Sequence, residues 1–274
     1  MGEGSSRPFR FGVVATPRAG TSWPEAVRRH AGQGYTSVLM PDGMQLPAPM
    51  PALAMAAASA EVTVGTWVLA APLRPAGLAA WEAHSMTTLT GGRFEFGIGT
   101  GRPVVREWTE RLGLPYGTPG ERLAQVAEVV RAVRELDGPD QHTPVIMAAA
   151  GPRALRLAGE LADIVTPAIG ALEPREQVEQ RLATVRASAG DRRIEFCTSL
   201  FVVGDRVPPH AERYLGADLP ALRSADSLSL LEGTPDAMAD QLQRRRDRLG
   251  TSYVTVNADY AAELAPVVEL LTGR

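Results

Sequence analysis

FRFGVVATPRAGTSWPEAVRRHAG, residues 9–32, opens the regular part of the chain. Its apolar, β-branched start at residues 9–15 reads as a buried strand, and residues 23–32 read as the helix that follows. Ser22 stands where an N-cap is needed, and Pro24 falls in the first helical turn. Between the two, ATPRAGTSW carries no G-x-G-x-x-G. An open doubly wound sheet that binds a dinucleotide would place those glycines after its first strand. Their absence turns the reading towards a closed parallel barrel.

The same strand-then-helix unit recurs along the chain. Further strands read at 36–40, 62–70, 93–98, 144–148, 163–166, 194–203 and 253–257. Helices read at 50–59, 76–89, 120–136, 152–161, 174–189, 235–249 and 260–271, with an irregular stretch at 204–232. Parallel strands joined by helices need both sheet faces covered. Eight such units in ~250 residues close into a (β/α)8 barrel, a TIM barrel, with the helices outside. The expectation is one α/β domain over residues 9–274, preceded by a disordered N-terminus at 1–8.

Composition narrows the function. Apolar residues make up 45% of the 274, enough for a large core. The longest apolar stretch, 47–60, is shorter than the ~18–20 residues that cross a bilayer, so no membrane is expected. The N-terminal MGEGSSRPFR has no apolar signal core, so the expected location is cytoplasmic. Cys197 is the single cysteine and lies in an apolar run, as a buried structural thiol would. A net charge of −3 argues against a nucleic-acid partner. All 28 basic residues are arginine, so any anion site must use guanidinium or backbone N–H groups.

Barrel chemistry sits at the C-terminal strand ends. There GIGTGRP, 97–103, lets the backbone approach a ligand, although glycine-rich strand ends are also plain tight turns. It is not a Rossmann fingerprint, because Arg102 takes the sixth position. The later AAAGPR, 148–153, places small residues before Pro152 at a helix start, where free N–H groups and Arg153 suit a phosphate. Asp42, directly after the second strand, is the leading acid–base candidate, set against a plain Pro-Asp-Gly turn. His30 reads as solvent-facing within its helix and His84 as a packing or surface residue, while His142 and His210 fall in polar loops. No H-x-H, H-E-x-x-H or G-x-S-x-G spacing occurs, which sets aside the usual metal and serine-hydrolase sites. Trp67 and Trp81 read as core or interface aromatics, Trp67 also as a residue of the mouth, and the RRRDR run at 244–248 as a solvated face.

Three segments then carry a resemblance. APLRPAGLAAWEAHSMTTLTGGRFEFGIGTG (71–101), PVIMAAAGPRALRLAGELADIV (144–165) and LEGTPDAMADQLQRRRDRLGTSYVTV (231–256) resemble the luciferase-like monooxygenase superfamily, closest to its short actinobacterial F420-dependent branch. The resemblance implies a (β/α)8 barrel of the bacterial luciferase-like type with reduced flavin or deazaflavin across its mouth. It places the cofactor phosphate on Thr100, Gly101 and Arg102 and on Ala150, Gly151, Pro152 and Arg153, and the ring against Thr66, Trp67 and Val68. Asp42 matches the acidic member of the family's Asp-His pair, but Gly43 replaces the histidine. Arg102 stands where the sugar-phosphate dehydrogenases carry a glutamate, and the insertion before the fifth strand shrinks to about 137–143.

The leading expectation is an oxidoreductase that transfers hydride between coenzyme F420 and a small organic substrate, with Asp42 or Glu107 as proton donor. An FMN-dependent monooxygenase using dioxygen and a cofactor-free barrel remain the alternatives. The Ala- and Met-rich helix at 50–59 suits a homodimer contact, as in family dimers, or packing on its own barrel.

Overall fold

Strands buried on both faces must find apolar partners on both, and here they do so by closing on themselves. The computed structural model describes residues 7–207, 212 and 215–274. Its staves are β1 (Arg10–Val14), β2 (Ser37–Met40), the broken stave β3 (Thr63–Thr66) and β4 (Leu69–Ala70), β5 (Phe94–Gly99), β6 (Val145–Ala149), β7 (Ile164–Pro167) and β8 (Glu195–Leu200). The short β9 (Val202–Val203) and β10 (Leu230–Leu231) pair apart, and β11 (Thr251–Asn257) closes the barrel between β8 and β1. Every ladder is parallel, and β3 and β4 both pair with β5, so the sheet is a closed α/β barrel as expected.

Around it run α1 (Trp23–Gly32), α2 (Pro49–Ser59), α3 (Ala76–Leu89), α4 (Val105–Leu112), α5 (Pro119–Asp137) and α6 (Pro152–Leu161). They continue with α7 (Arg175–Ala189), α8 (Leu219–Ser224), α9 (Pro235–Leu249) and α10 (Ala261–Leu271). No described helix is long and apolar enough to cross a membrane. The outward strand residues, among them Phe11, Val38, Phe96, Val145 and Val254, join the helices in one core. The inward residues Leu39, Ile146, Ile164, Cys197 and Tyr253 form a second, smaller cluster inside the barrel.

Several expectations need correction. The third strand is not continuous, because it breaks at Trp67-Val68, whose peptide is cis. At the break the Thr66 hydroxyl donates to the Gly97 carbonyl and accepts from the Gly97 N–H, both at 2.8 Å. A Cβ at Gly97 would lie 1.9 Å from the Thr66 carbonyl oxygen, so only glycine admits this approach. The strand expected over 194–203 leaves the barrel after Leu200, and the irregular 204–232 stretch contains β10 and α8. Helix α4 was not expected, although Val105, Trp108, Thr109 and Leu112 recur at helical spacing and Val105 and Thr109 are buried.

His30 is buried rather than solvent-facing. Its ring packs edge-on against Tyr35, and burial lowers its pKa, although the contact of Nδ1 with the accepting Gln33 Oε1 at 3.1 Å works against that shift. His84 pairs with Asp137 at 3.0 Å, His142 lies 3.3 Å from Asp163, and His210 lies outside the described residues, as do residues 1–6. The RRRDR run is not wholly solvated either. Arg245 is buried and donates to the carbonyls of Leu228 and Leu230, and desolvation lowers its pKa to about 10. Cys197 is buried as expected, with its thiol pushed up by that burial.

The lower end of the barrel is closed by charge. Arg10, at the start of β1, donates to Glu195 through Nε (2.9 Å) and Nη2 (2.7 Å), and to Glu95 through Nη1 (2.5 Å). Its guanidinium lies 3.5 Å from the centroid of the Tyr253 ring, and the Tyr253 hydroxyl donates to Glu95 at 3.1 Å. Strands β1 and β5 are not neighbours, so the Arg10–Glu95 contact crosses the interior. Both glutamates are buried, and removing Arg10 strands Glu95 in low dielectric and leaves Glu195 only Arg7, 3.9 Å away. Chemical denaturation should therefore show Arg10→Met losing about 3–5 kcal/mol, and a loss below about 1 kcal/mol would contradict this role.

Candidate functional site

The strand ends opposite that plug form the mouth. A cleft of about 470 Å³ opens there, lined by Thr100, Gly120, Gly151, Pro152, Arg153 and Arg156 among others. Two helices begin at it, and their starts differ. Helix α5 is closed by a capping box, in which the Thr118 hydroxyl accepts from the Glu121 N–H and Glu121 accepts from the Thr118 N–H. Helix α6 begins at Gly151, which has no side chain to cap it, with Pro152 next. Its first-turn N–H groups therefore face the cleft without a side-chain acceptor, and the helix dipole adds positive potential. The exposed Arg153 and Arg156 supply full charges beside them.

The β5 side of the cleft is held by Arg122. It donates to the carbonyls of Thr100 (3.1 Å) and Gly117 (2.9 Å), and lies 4.1 Å from the Tyr116 ring centroid. Gly101 has φ +80°, which lets the chain turn away from β5 into α4. The structure thus brings Thr100, Gly151, Pro152 and Arg153 to one cleft. Ala150 sits just behind it, with its carbonyl turned to Arg181 at 3.2 Å.

Arg102 is placed elsewhere. It borders a second cavity of about 260 Å³ with Ile169, Gly170, Phe201, Leu215 and Ser229. Trp67 and Val68 stand half-buried at the break in the third stave, where Trp67 packs on the interior cluster and Val68 covers Gly97 and Gly99. Thr66 is fully buried, and its hydroxyl is engaged by Gly97. Glu107 is exposed on α4. Among the described residues, no group of three or more His, Cys, Asp and Glu side chains could hold a metal ion.

Asp42 is at the mouth end of β2 but already committed. One oxygen accepts from Arg74 Nη1 at 2.7 Å and from the Ala70 N–H at 3.0 Å, and the other accepts from Arg74 Nη2 at 3.1 Å. The carboxylate is only 5% exposed. Burial works against the Arg74 charge, but the hydrogen bond and charge of Asp42, with Glu82, outweigh it and hold Arg74 above its ordinary pKa. The pair ties the end of β2 to the end of β4. Sequence reasoning found Asp42 from its place after a strand but missed Arg74, although the Arg-Pro turn contains it. It also missed Arg122 and Arg181, which hold backbone carbonyls of the mouth loops, contacts that leave no pattern in a sequence.

With this geometry in hand, the model of the luciferase-like monooxygenase family matches residues 9–264. An F420-dependent glucose-6-phosphate dehydrogenase of Beutenbergia cavernae is 32% identical over 161 residues, 47% of this chain and 47% of that protein. One of Nakamurella multipartita is 29% identical over 192 residues, 57% of this chain and 55% of that protein. The matched region is about half the length of each relative. Among solved structures, the coenzyme F420 dependent tetrahydromethanopterin reductase of Methanopyrus kandleri aligns with a TM-score of 0.70 at 17% identity. That alignment covers 96% of this chain and 97% of the reductase, a likeness of fold.

The Asp42–Arg74 pair can be tested without any ligand. Arg74→Met leaves a buried carboxylate without its cation and should cost about 3–5 kcal/mol in denaturant unfolding. Asp42→Asn should cost less, about 1–3 kcal/mol, and the double variant less than the sum. Additive losses would contradict the pairing.

Proposed function

Because this chain belongs to the luciferase-like monooxygenase family, we propose that it is a two-electron oxidoreductase that works with coenzyme F420 on a small organic substrate. The observation that carries the reading is the uncapped start of α6, which opens with Arg153 and Arg156 onto a cleft between the strand end of β5 and the start of α5. The fit is chemical. A phosphate finds backbone donors and guanidinium groups there, and the missing Cβ at Gly151 leaves room for it to approach. Thr100 bounds the same space on the β5 side. Trp67 and Val68 offer an apolar wall at the mouth for a planar ring.

F420, when bound, supplies the hydride chemistry, and the protein supplies orientation and shape. The second cavity is the proposed substrate side. Ile169 and Phe201 give it apolar walls, while Arg102 and Ser229 give it polar edges. Hydrogen-bonded through both oxygens, Asp42 acts in this reading as a positioning group that holds β4, and with it Trp67 and Val68, in register. Glu107, exposed on α4, is then the proposed proton donor. Asp42→Asn should then lower the rate without moving the pH–rate profile, whereas loss of a limb would make Asp42 the acid–base group.

The proposed enzyme is a cytoplasmic homodimer. Its lone thiol, buried and unpaired, suits a reducing compartment. Adjoining helices α2 and α3 expose Met55, Leu78 and Trp81, the last at 64%, which suits burial against a second copy.

A phosphate cradle alone does not distinguish F420 from FMN, since both carry the group, so the FMN-dependent monooxygenase is the second reading. Fluorescence titration separates them. The proposal expects saturable F420 binding that is at least about tenfold tighter than FMN binding, and weakened about tenfold in Arg153→Ala. Tighter FMN binding would favour the monooxygenase, and binding of neither would leave a cofactor-free barrel.

A further inference from the structure

Arg181, on α7, is the residue that joins the two sides of the mouth. Its Nη1 donates to the Ala150 carbonyl at 3.2 Å and to the Ala168 carbonyl at 2.9 Å, and its Nη2 lies 2.7 Å from Glu173 Oε1. The other oxygen of Glu173 accepts the Gly170 N–H at 3.0 Å. One ion pair therefore holds the loop before α6 and the loop after β7, which borders the second cavity through Ile169, Gly170 and Ala171. Glu173 is 9% exposed and Arg181 24%, so the pair is shielded as a surface pair is not.

The consequence for the cleft follows from peptide geometry. The only cis bond among the described residues is Trp67-Val68, so the Ala150–Gly151 peptide is trans and planar. In such a peptide the carbonyl and the following N–H point in opposite directions. Arg181 draws the Ala150 carbonyl towards α7, on the β7 side of the loop. The Gly151 N–H is thereby turned to the other side, where α5 and the strand end of β5 line the cleft.

We propose that Arg181 and Glu173 are a positioning pair that presets the Gly151 N–H for an anion and couples that cradle to the substrate-side loop. The inference rests on the reading of the cleft as a phosphate site.

The two ideas fail differently in one experiment. F420 and its phosphate-free deazaflavin riboside are titrated by fluorescence into the wild-type chain, Arg181→Met and Arg181→Lys, with melting curves taken without ligand. Arg181→Met is expected to weaken F420 about tenfold and the riboside less than twofold, because only the phosphate meets the preset N–H. Arg181→Lys keeps the charge but not the fork, so its loss of F420 affinity is expected to be intermediate, and it carries the test if Arg181→Met does not fold. Equal losses for both ligands, or no loss in a folded variant, would overturn the positioning role and leave the site intact. A wild-type chain that binds no F420 would overturn the reading beneath it.

Discussion

Arg10 sets the terms for the rest of this barrel. A parallel barrel must fill its own interior, and here the lower end is filled by one guanidinium shared between Glu95 and Glu195, with Tyr253 lying against it. Burial holds the pKa of the Glu95 carboxyl above its ordinary value, although the Arg10 charge and hydrogen bond pull against it. Such an arrangement is costly to assemble and costlier to break at Arg10, since its removal leaves the buried Glu95 carboxylate without a cation. The glycines above it are part of the same solution. A Cβ at Gly12 would stand 3.0 Å from the Tyr253 hydroxyl, and one at Gly65 2.8 Å from the Glu95 carbonyl. With the lower interior filled in this way, the upper strand ends are left to loops and ligands.

At those ends the construction is mostly backbone. Arg122 and Arg181 hold carbonyls on the two loops that flank the cleft, and Arg74 holds Asp42 between β2 and β4. In a chain without lysine, guanidinium forks do this work well, because one planar group can satisfy several acceptors at fixed angles. The result is a mouth whose donors at α6 lack a side-chain acceptor, because Gly151 cannot cap them. An anion meeting that surface gains charge-assisted hydrogen bonds without first displacing internal ones.

The alternation of strands and helices was legible because each element in a closed parallel barrel carries its own apolar signature. The bounds read for residues 23–32, 76–89, 152–161 and 235–249 coincide with α1, α3, α6 and α9. Local chemistry was legible too, since Gly151 and Pro152 mark a helix start by their types alone. The remainder depended on contacts between distant residues. Arg10 meets partners 85 and 185 positions away, and nothing in a charged residue at a strand start announces them. Asp42 could be placed at the mouth, yet its partner Arg74 lies 32 positions along the chain, beyond β4. His30 and Arg245 were misjudged for one reason: each is a polar residue whose helix face packs onto a neighbour rather than water.

The central claim is that the open start of α6 is an anion site that seats a cofactor phosphate. A crystal structure of the chain with F420 tests it most directly. The account predicts the phosphate oxygens within about 2.7–3.2 Å of first-turn N–H groups of α6, with the Arg153 guanidinium beside them. A phosphate seated instead at Arg102 in the second cavity, with the α6 donors still open to water, would contradict it.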